Sequence, residues 1–425
     1  MRGRPARRPR PPRTPTGPRG GGRRGLRSRP HVRPRVRPHV RPRQKRRPVS
    51  TATGTGLLVR TRLCVDEREF EALAEPWGRL HRACEAATPF QSHAWLSSWW
   101  RSYGRPGRLR VLLVRQGDRL IAAAPLMRVH RPLPALKPLG GPISDFADVL
   151  VDGAAREAAT EALVAGLTEL AGTALIDFGE VRPGACVEGV HARWPGPKRT
   201  LADSPCLELP ALPMEELLKR LPTSRAQRTR AKMRKLTKLG VESRIVPADE
   251  VDASVRTLLR LHQLQWRGRK VTSEHLRPRF REHLLRSMRP MVAAGEAVMT
   301  EFRLDGEVVA ADLTLLSGTL AGGYLYGAHP RLRERKVDVA TMLLDACTRH
   351  TGGEQRRALS LLRGDEPYKH HWRPEPVTNQ RFLLARRRTA PLLRAAVWDA
   401  SARRWTKERV RERREARRGD GAATT

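Results

Sequence analysis

Apolar and polar positions along the chain alternate with two different periods, which distinguish strand segments from helical ones. Apolar runs at 109–114 and 120–126 flank the turn Gln116-Gly117-Asp118, which is typical of a β-hairpin. Helical spacing of apolar residues predicts helices at 65–86, 157–170, 214–221, 255–267, 280–293 and 338–350. Short apolar runs predict further strands at 174–178, 241–246, 297–304, 307–316, 320–328 and 358–362. This alternation predicts an α/β fold with helices packed on mixed sheets.

Two further predicted helices have an unusual composition. In the first, Ser92 is a candidate N-cap, because a hydroxyl there can accept a hydrogen bond from the first turn. Aromatic and apolar residues follow it near helical spacing, namely Trp95, Leu96, Trp99, Trp100 and Tyr103. We interpret this stripe as core rather than as a surface on which a ligand stacks. The second helix, 225–239, is basic and carries Arg225, Arg228, Arg230, Lys232, Arg234, Lys235 and Lys238.

A repeat relates the two halves of the chain. Residues 111–126 parallel residues 299–314 at a constant offset of 188, and in each half a helix and another strand follow. Self-similarity at a fixed spacing indicates a duplicated architecture. We therefore expect two similar domains, at 56–205 and 206–388.

The two ends of the chain carry much of its charge. The 425 residues have a formal net charge of +40, and residues 1–50 alone hold 18 arginines and Lys45 with no carboxylate. Repeated prolines and like charges predict a disordered Arg/Pro-rich tail at 1–55, which could bind nucleic acid or anionic lipid weakly by counterion release. A dispensable tail or an upstream-extended translation start is the alternative. Residues 389–425 are expected to be a basic helical or disordered tail.

Several classes of protein are disfavoured by what the sequence lacks. No run of about 18 apolar residues predicts a transmembrane helix. The five cysteines are scattered, without a C-x-x-C motif, and the adjacent pair His370-His371 has no third ligand at useful spacing, so we expect no metal. A cytoplasmic location fits this cysteine usage, and the basic tails would allow peripheral contact with the inner membrane face. The excess of arginine over lysine is typical of a GC-rich bacterial genome.

A segment near the end of the second half is the strongest candidate for a site. The apolar run 358–362 ends at Arg363-Gly364 and is followed by an acidic, aromatic and basic loop. Ligands of open α/β sheets bind beyond the tips of strands, which favours a site at this point. A solvated loop after a core strand is the alternative. The candidate residues are Arg363, Asp365, Glu366, Tyr368, Lys369 and Trp372.

Four segments together resemble the GNAT superfamily of acyltransferases. They are T-P-F-Q-S-H-A-W-L-S-S-W-W (88–100), A-A-A-P-L (122–126), L-G-G-P-I-S-D-F-A-D-V-L (139–150) and L-L-R-G-D-E-P-Y-K-H-H-W (361–372). The resemblance is to the FemAB-like group with two tandem GNAT folds, and in particular to the acetyltransferase domain of cellulose and exopolysaccharide biosynthesis (CelD-like) proteins. It implies transfer of an acyl group from acyl-CoA, such as acetyl-CoA, to an amine or hydroxyl of a cell-envelope or exopolysaccharide precursor.

The resemblance also implies where the acyl-CoA would bind. A parted strand at 322–327 would pair with the pantetheine, and a helix beginning near Asp338 would receive the pyrophosphate on its unpaired N–H groups. The family usually has a glycine-containing turn at the helix start. This chain has Asp338-Val339-Ala340 instead, and a carboxylate there opposes a phosphate. The implied donor-binding residues are Tyr324, Arg333, Arg335, Lys336, Val339 and Ala340.

Acyl transfer requires a base, and an acid for the leaving thiolate. Asp312 sits in an otherwise apolar strand, where partial desolvation would raise its pKa towards the working range of a base. We expect Asp312 or Glu301 to act as the base through a water molecule; an outward-facing or capping role for Asp312 is the alternative. The candidate acids are Tyr324, Tyr326 and Tyr368.

The acceptor would meet the candidate loop after residue 362. Arg363 and Lys369 would hold an anionic acceptor such as a nucleotide-linked sugar. Asp365 and Glu366 would bind sugar hydroxyls, or would pair with Arg363.

Two other functions fit parts of the sequence. A FemAB-like transferase that uses aminoacyl-tRNA would explain the basic helix 225–239 and the Arg-rich ends, although the helical coiled-coil arm of such relatives is not evident here. A non-catalytic nucleic-acid-binding protein would explain the charge but not the tyrosines and acidic loop.

Overall fold

The computed structural model describes residues 50–51, 58–267, 272–352 and 356–422. These residues belong to one compact unit, Pro48–Thr425. The prediction of a disordered tail at 1–55 therefore lies outside the described residues, except for Ser50 and Thr51.

The strands and helices follow one another in the alternating order that the sequence predicts. The strands are β1 (Ser50–Thr51), β2 (Val59–Cys64), β3 (Leu109–Gln116), β4 (Arg119–Val129), β5 (Ala135–Pro138), β6 (Leu150–Val151), β7 (Leu175–Val181), β8 (Lys198–Pro210), β9 (Glu242–Ile245), β10 (Ala297–Leu304), β11 (Glu307–Leu316), β12 (Leu320–Ala328), β13 (Ala358–Arg363) and β14 (Glu375–Leu384). The helices are α1 (Glu67–Glu71), α2 (Ala74–Ala83), α3 (His93–Tyr103), α4 (Arg156–Ala171), α5 (Val187–Ala192), α6 (Met214–Lys219), α7 (Thr223–Lys238), α8 (Val251–Gln265), α9 (Pro278–Ala293), α10 (Arg331–Glu334), α11 (Val339–Arg349) and α12 (Ala390–Ala422).

The described strands form one continuous mixed sheet. Its order is β1-β2-β3-β4-β5-β7-β14-β8-β13-β12-β11-β10-β9, and β6 pairs with β4 beside this path. Two neighbouring pairs, β5–β7 and β12–β13, are parallel. The predicted α/β class, with helices flanking a mixed sheet, is confirmed.

The repeat in the sequence corresponds to a repeat in the strand order. In the first half β3, β4, β5 and β7 are neighbours, with the first three antiparallel and the last pair parallel. In the second half β10, β11, β12 and β13 have the same arrangement. A helix precedes the last strand of each set, α4 in one half and α11 in the other.

The two halves of the chain meet at the centre of the sheet, where β14 and β8 lie between the last strands of the two repeats. β14, the last strand of the chain, lies between β7 of the first half and β8. β8 in turn pairs with β13 of the second half. Hydrogen bonding is therefore continuous from one half to the other. The predicted domain boundary between residues 205 and 206 falls inside β8 and stays a prediction.

The aromatic stripe of α3 is core, as predicted. Ser92 caps the helix by accepting a hydrogen bond from the Trp95 backbone N–H at 3.3 Å. Trp95, Trp99 and Trp100 are each at most 5% exposed. The Trp95 ring meets Tyr324 edge to face at 5.2 Å between centroids, so this helix supports the second half of the chain.

The predicted helix at 65–86 is wrong as a single element, because it divides into α1 and α2. Pro76 explains the division. A proline has no N–H for a bond to the carbonyl four residues earlier, and it is tolerated only in the first turn of a helix. The helix α2 accordingly begins at Ala74, which places Pro76 in that turn.

Candidate functional site

A parallel strand pair opens in the middle of the second half. β12 and β13 are paired only from Leu320 to Gly322 on one side and from Ala358 to Ser360 on the other. Beyond that point β13 continues beside β8, while the rest of β12 remains beside β11. A register shift in β12 opposite Leu313 and Thr314 leaves Tyr324 as the extra residue. The parted strand expected at 322–327 is thus present.

A cleft lies beyond the end of this parted strand. Its volume is about 580 Å³, and it lies between the end of β12, the end of α8 and the beginning of α11. The lining residues are Leu264, Gln265, Arg267, Ala328, His329, Pro330, Arg333, Val337, Asp338 and Val339. A helix N-terminus facing a cleft is a favourable place for an anion.

Asp338 occupies the start of α11 and is paired with a lysine. Its Oδ1 accepts a hydrogen bond from the Thr341 backbone N–H at 3.0 Å, which makes it the N-cap. Lys232 of α7 donates to Oδ2 at 2.5 Å. Burial alone would raise the pKa of Asp338, but the hydrogen bond and charge of Lys232 outweigh it and hold this pKa below its usual value. The negative charge that would oppose a phosphate is therefore balanced by Lys232.

The expected donor-binding residues are only partly gathered at the cleft. Arg333 and Val339 line it. Arg335 pairs instead with Asp305 at 3.2 Å, and Lys336, in a left-handed backbone conformation, is exposed beside it. Ala340 lies in the first turn of α11 but is not among the lining residues. Arg333 is therefore the expected cation that the structure places on the cleft wall.

The two candidate bases lie on opposite faces of the sheet. Thr300 of β10 is in register with Asp312 of β11, so the adjacent residue Glu301 faces the other way. Glu301 is buried and pairs with Arg244 at 3.0 Å and Arg303 at 3.7 Å. The two carboxylates cannot serve one site together, so they are alternatives.

Asp312 is a buried carboxylate under α11. It accepts hydrogen bonds from Thr314 Oγ1 at 2.8 Å and from Cys347 Sγ at 3.6 Å. Burial raises the pKa of Asp312 to about 6, although the two hydrogen bonds act in the opposite direction. A carboxyl group with this pKa is poised to exchange a proton near neutral pH.

The three candidate tyrosines have different surroundings. Tyr326 is in register with Asp312, so both side chains lie on the same face of the sheet. Tyr368 is 53% exposed, and its pKa is raised first by partial burial and then by the neighbouring Tyr326. Tyr324 instead donates its hydroxyl to the Ile143 carbonyl at 2.9 Å. Tyr326 is thus the candidate acid on the same face as Asp312, and Tyr368 lies near Tyr326.

The loop after β13 holds itself together through its own charged side chains. Lys369 is 5% exposed and donates to the Arg363 carbonyl at 3.0 Å and to Glu366 at 2.8 Å. His370 and Asp365 contact each other at 2.5 Å. Trp372 is buried in the apolar cluster that also contains residues of α6 and α7. Asp365 and Glu366 are the exposed members of the predicted acceptor-binding set.

Arg363 belongs to a polar cluster that the sequence analysis missed. Its guanidinium donates to Asp145 at 2.5 Å, to Glu180 at 3.1 Å and to the Pro142 carbonyl at 2.6 Å. Asn379 of β14 donates to the second oxygen of Glu180 at 2.9 Å, while its own Oδ1 is buried and has no hydrogen-bond partner among the described residues. The loop 139–146 of the first half is thereby fixed to the tip of β13, where the parallel strands separate.

Burial changes the pKa of a carboxyl group within this cluster. It raises the pKa of Asp145, and the charge of Arg363 offsets only part of the increase. Asp145 stands in a segment that carried the family resemblance, so a signal for it existed. Glu180 and Asn379 had none, because each lies in an ordinary strand sequence.

Metal-binding clusters and membrane-spanning helices are both absent from the described residues. In that part of the chain no three His, Cys, Asp or Glu side chains are grouped so that they could hold a metal ion. No helix in the described ranges has both the length and the apolar content needed to cross a bilayer.

Comparisons with known proteins give a matching family model and similar solved structures. Residues 223–370 match the family model described as an acetyltransferase (GNAT) domain. The solved structure of FemX aligns with a TM-score of 0.54 at 11% identity, covering 79% of this chain and 99% of FemX. The C-terminal domain of a putative lysylphosphatidylglycerol synthetase from Agrobacterium fabrum aligns with a TM-score of 0.48 at 13% identity, covering 78% and 97%. No curated protein matches the chain significantly.

These matches have different weight. At 11% identity the likeness to FemX shows a shared fold and nothing about substrates. The family match covers α7 through the loop after β13, which includes the parted strand, the cleft and both candidate bases. It does not distinguish the CelD-like group within the superfamily. By this match, residues 223–370 form a GNAT acetyltransferase domain.

Proposed function

We propose that this protein is an acyltransferase that moves an acyl group from acyl-CoA to an amine or hydroxyl of a cell-envelope or exopolysaccharide precursor. The observation that carries the proposal is the separation of β12 from β13 beside a cleft at the beginning of α11. An extended donor needs a strand with free backbone groups for its pantetheine arm and a helix N-terminus for its phosphates.

The residues at the cleft fit such a donor in part. Arg333 supplies a guanidinium on the wall, which suits a phosphate because its donors form a planar fork. Asp338 uses one of the first-turn N–H groups of α11, and Lys232 balances its charge. Beyond Gly322 the strand β12 is not paired with β13. Its Tyr326 carbonyl meets His262 Nδ1 at 2.7 Å and its Ala328 N–H donates to Gln265 at 2.9 Å, so the pantetheine would pair with the strand before these residues, at 323–325.

The transfer itself needs one proton acceptor and one proton donor. The nucleophilic nitrogen or oxygen of the acceptor would form a bond to the thioester carbonyl carbon, and its proton would pass through a water molecule to Asp312. The carbon–sulfur bond would then break, and the leaving thiolate would take a proton from Tyr326 or Tyr368. Asp312 is favoured over Glu301 because it shares a face with Tyr326 and has no ion pair among the described contacts.

The acceptor is assigned to the exposed part of the loop after β13. Asp365 and Glu366 are accessible and carry carboxylates that can accept hydrogen bonds from hydroxyl or ammonium groups. Arg363 and Lys369 are already bonded within the protein, so their part would be to hold this loop in place.

A second candidate is transfer from an aminoacyl-tRNA. The basic helix α7 carries Arg228, Arg234 and Lys238 exposed on its surface, and its Lys232 touches Asp338 at the cleft. Exposed cations beside a donor cleft suit the phosphates of an RNA. A protein that only binds nucleic acid would need the basic helix but neither the cleft nor the parted strand.

The donor can be identified by thermal unfolding of the full chain with a panel of acyl-CoA thioesters and, separately, with aminoacyl-tRNA. A ligand present at about a hundredfold above its Kd should stabilise the fold by about 2.7 kcal/mol. We expect acetyl-CoA or another acyl-CoA to raise the Tm and to release thiol when envelope precursors are added.

A matched pair of variants connects this binding to the cleft. Arg333→Gln removes the cation on the cleft wall and should weaken acyl-CoA binding roughly tenfold, the usual effect of one hydrogen bond to a charged group. Arg349→Gln removes the same charge from the opposite end of α11 and should leave the affinity unchanged. Stabilisation by aminoacyl-tRNA alone would favour the second candidate. Equal effects of the two substitutions would contradict the assignment of the cleft.

A further inference from the structure

The last helix leaves two tryptophans uncovered. The beginning of α12 packs on the body of the protein, where Leu393 and Ala396 are buried. Farther along, the side chains of Trp398 and Trp405 are 75% and 59% exposed. They are seven residues apart, which is about two helical turns, so they lie on the same side of α12. Large aromatic side chains of this kind usually bury most of their surface.

The exposed tryptophans lie in a strongly basic segment. Residues 386–425 contain 13 arginines and lysines and five acidic residues. The guanidinium of Arg409 lies 4.7 Å from the centroid of the Trp405 ring. Just before α12, residues 386–388 are three arginines that line a pocket of about 330 Å³ together with Trp194 and Gly196. Uncovered indoles and a cluster of guanidinium groups thus belong to one continuous stretch of chain.

We infer that this segment docks on an anionic lipid bilayer, with Trp398 and Trp405 entering the interfacial layer and the arginines of 386–388 binding headgroup phosphates. Indole rings concentrate at the boundary between headgroups and acyl chains, and basic side chains add an attraction of their own to anionic lipid. The docking is independent of the acyl transfer proposed above.

Charge and polarity favour an anionic bilayer over a second copy of the chain or a nucleic acid as the partner of this segment. A second copy of the chain would bring the same positive segment against itself, and like charges repel. A nucleic-acid duplex would match the arginines but would offer its phosphates, and no apolar layer, to the two indoles. An anionic bilayer satisfies both chemical groups at once.

The test uses the full chain and sedimentation with vesicles. Wild type and Trp398→Ala/Trp405→Ala are compared on pure phosphatidylcholine and on phosphatidylcholine mixed with phosphatidylglycerol. The control is Ile245→Ala/Leu276→Ala, which truncates two other exposed apolar side chains. The Arg-rich residues 1–50 are present in every variant, so their attraction to anionic vesicles is a common background. Loss of two indoles that would insert into the bilayer should lower the partition coefficient on anionic vesicles at least about tenfold. The control variant should keep the wild-type value.

Insertion is measured separately by fluorescence quenching with lipids brominated on their acyl chains. Quenching of the wild type and of the control, together with its loss in the double tryptophan variant, is the expected result. The inference is wrong if the tryptophan variant partitions and is quenched like the wild type. It is also wrong if single-stranded RNA quenches these tryptophans while vesicles do not. Dimerisation that disappears in the tryptophan variant, without any quenching by lipid, would identify a second copy as the occupant instead.

Discussion

Asp312 is the residue whose chemistry is most open to measurement. Burial raises the pKa of Asp312 to about 6, whereas its value in an unfolded chain is near 3.8. Because the folded pKa is the higher one, the folded state prefers the protonated form. The contribution of Asp312 to stability is therefore complete below about pH 4 and is lost as the pH rises through 6. A shift of this size corresponds to about 3 kcal/mol.

Replacing Asp312 by Asn removes this pH dependence, since an amide oxygen can still accept the hydrogen bond from Thr314. We expect Asp312→Asn to be more stable than the wild type by up to about 3 kcal/mol at pH 7.5, with little difference at pH 4, as measured by chemical denaturation at both pH values.

If Asp312 is also the base, thiol release falls by about 10²-fold or more in the folded Asp312→Asn variant. Glu301→Gln is the comparison. Full activity of Asp312→Asn with loss in Glu301→Gln would transfer the role to Glu301.

Asp312 and the cluster around Arg363 differ in how far each could be predicted from the sequence. The effect of an apolar strand on Asp312 is local, so its raised pKa could be expected from the neighbouring residues alone. The cluster around Arg363 is different, because Asp145 and Glu180 lie 218 and 183 residues away along the chain. No pattern within a short window can indicate that such distant side chains meet.

At the scale of elements, the contact between β12 and α8 supports the cleft. Gly327 lies so close to this helix that an added Cβ would stand 2.3 Å from the His262 backbone nitrogen. We expect Gly327→Ala to push α8 away from β12, to destabilise the protein by about 1–3 kcal/mol or more, and to weaken donor binding. Gly318→Ala is the control, since no atom of the described residues lies within 4 Å of the corresponding position. Denaturation and acyl-CoA titration of both variants test this, and equal stabilities would show that the helix can move aside without cost.

Local signals also determined which elements could be predicted. The bounds of β10 and β11 agree with the sequence prediction because Asp305 and Gly306, both with positive φ, form a short turn between them. β8 and β14 were not predicted. Their segments contain several prolines and charged residues and lack regular alternation, and their pairing joins residues such as Phe382 and Thr200 that are far apart in sequence. Such strands are stabilised by the sheet around them rather than by their own pattern.

At the scale of the whole molecule, the position of β14 predicts that the two halves unfold together. This strand is hydrogen-bonded to β7 on one side and to β8 on the other, so both halves of the sheet depend on it. Leu383→Pro would remove a ladder hydrogen bond at the centre of the sheet, where Leu383 is fully buried and opposite Asp177 and Arg199. Ser243→Pro places the same residue in β9, which among the described strands pairs with β10 alone.

We expect hydrogen exchange to separate these two variants. In Leu383→Pro, peptides from 109–126 and from 297–316 should lose protection together, because the breakdown of the central strand releases both halves at a similar free energy. In Ser243→Pro, the loss should be confined to β9 and the adjoining part of β10. Mass spectrometry of exchanged peptides measures both patterns in the full chain. Retained protection in one half of Leu383→Pro would mean that this half folds without β14, and the duplicated halves would then be separate folding units in spite of their shared sheet.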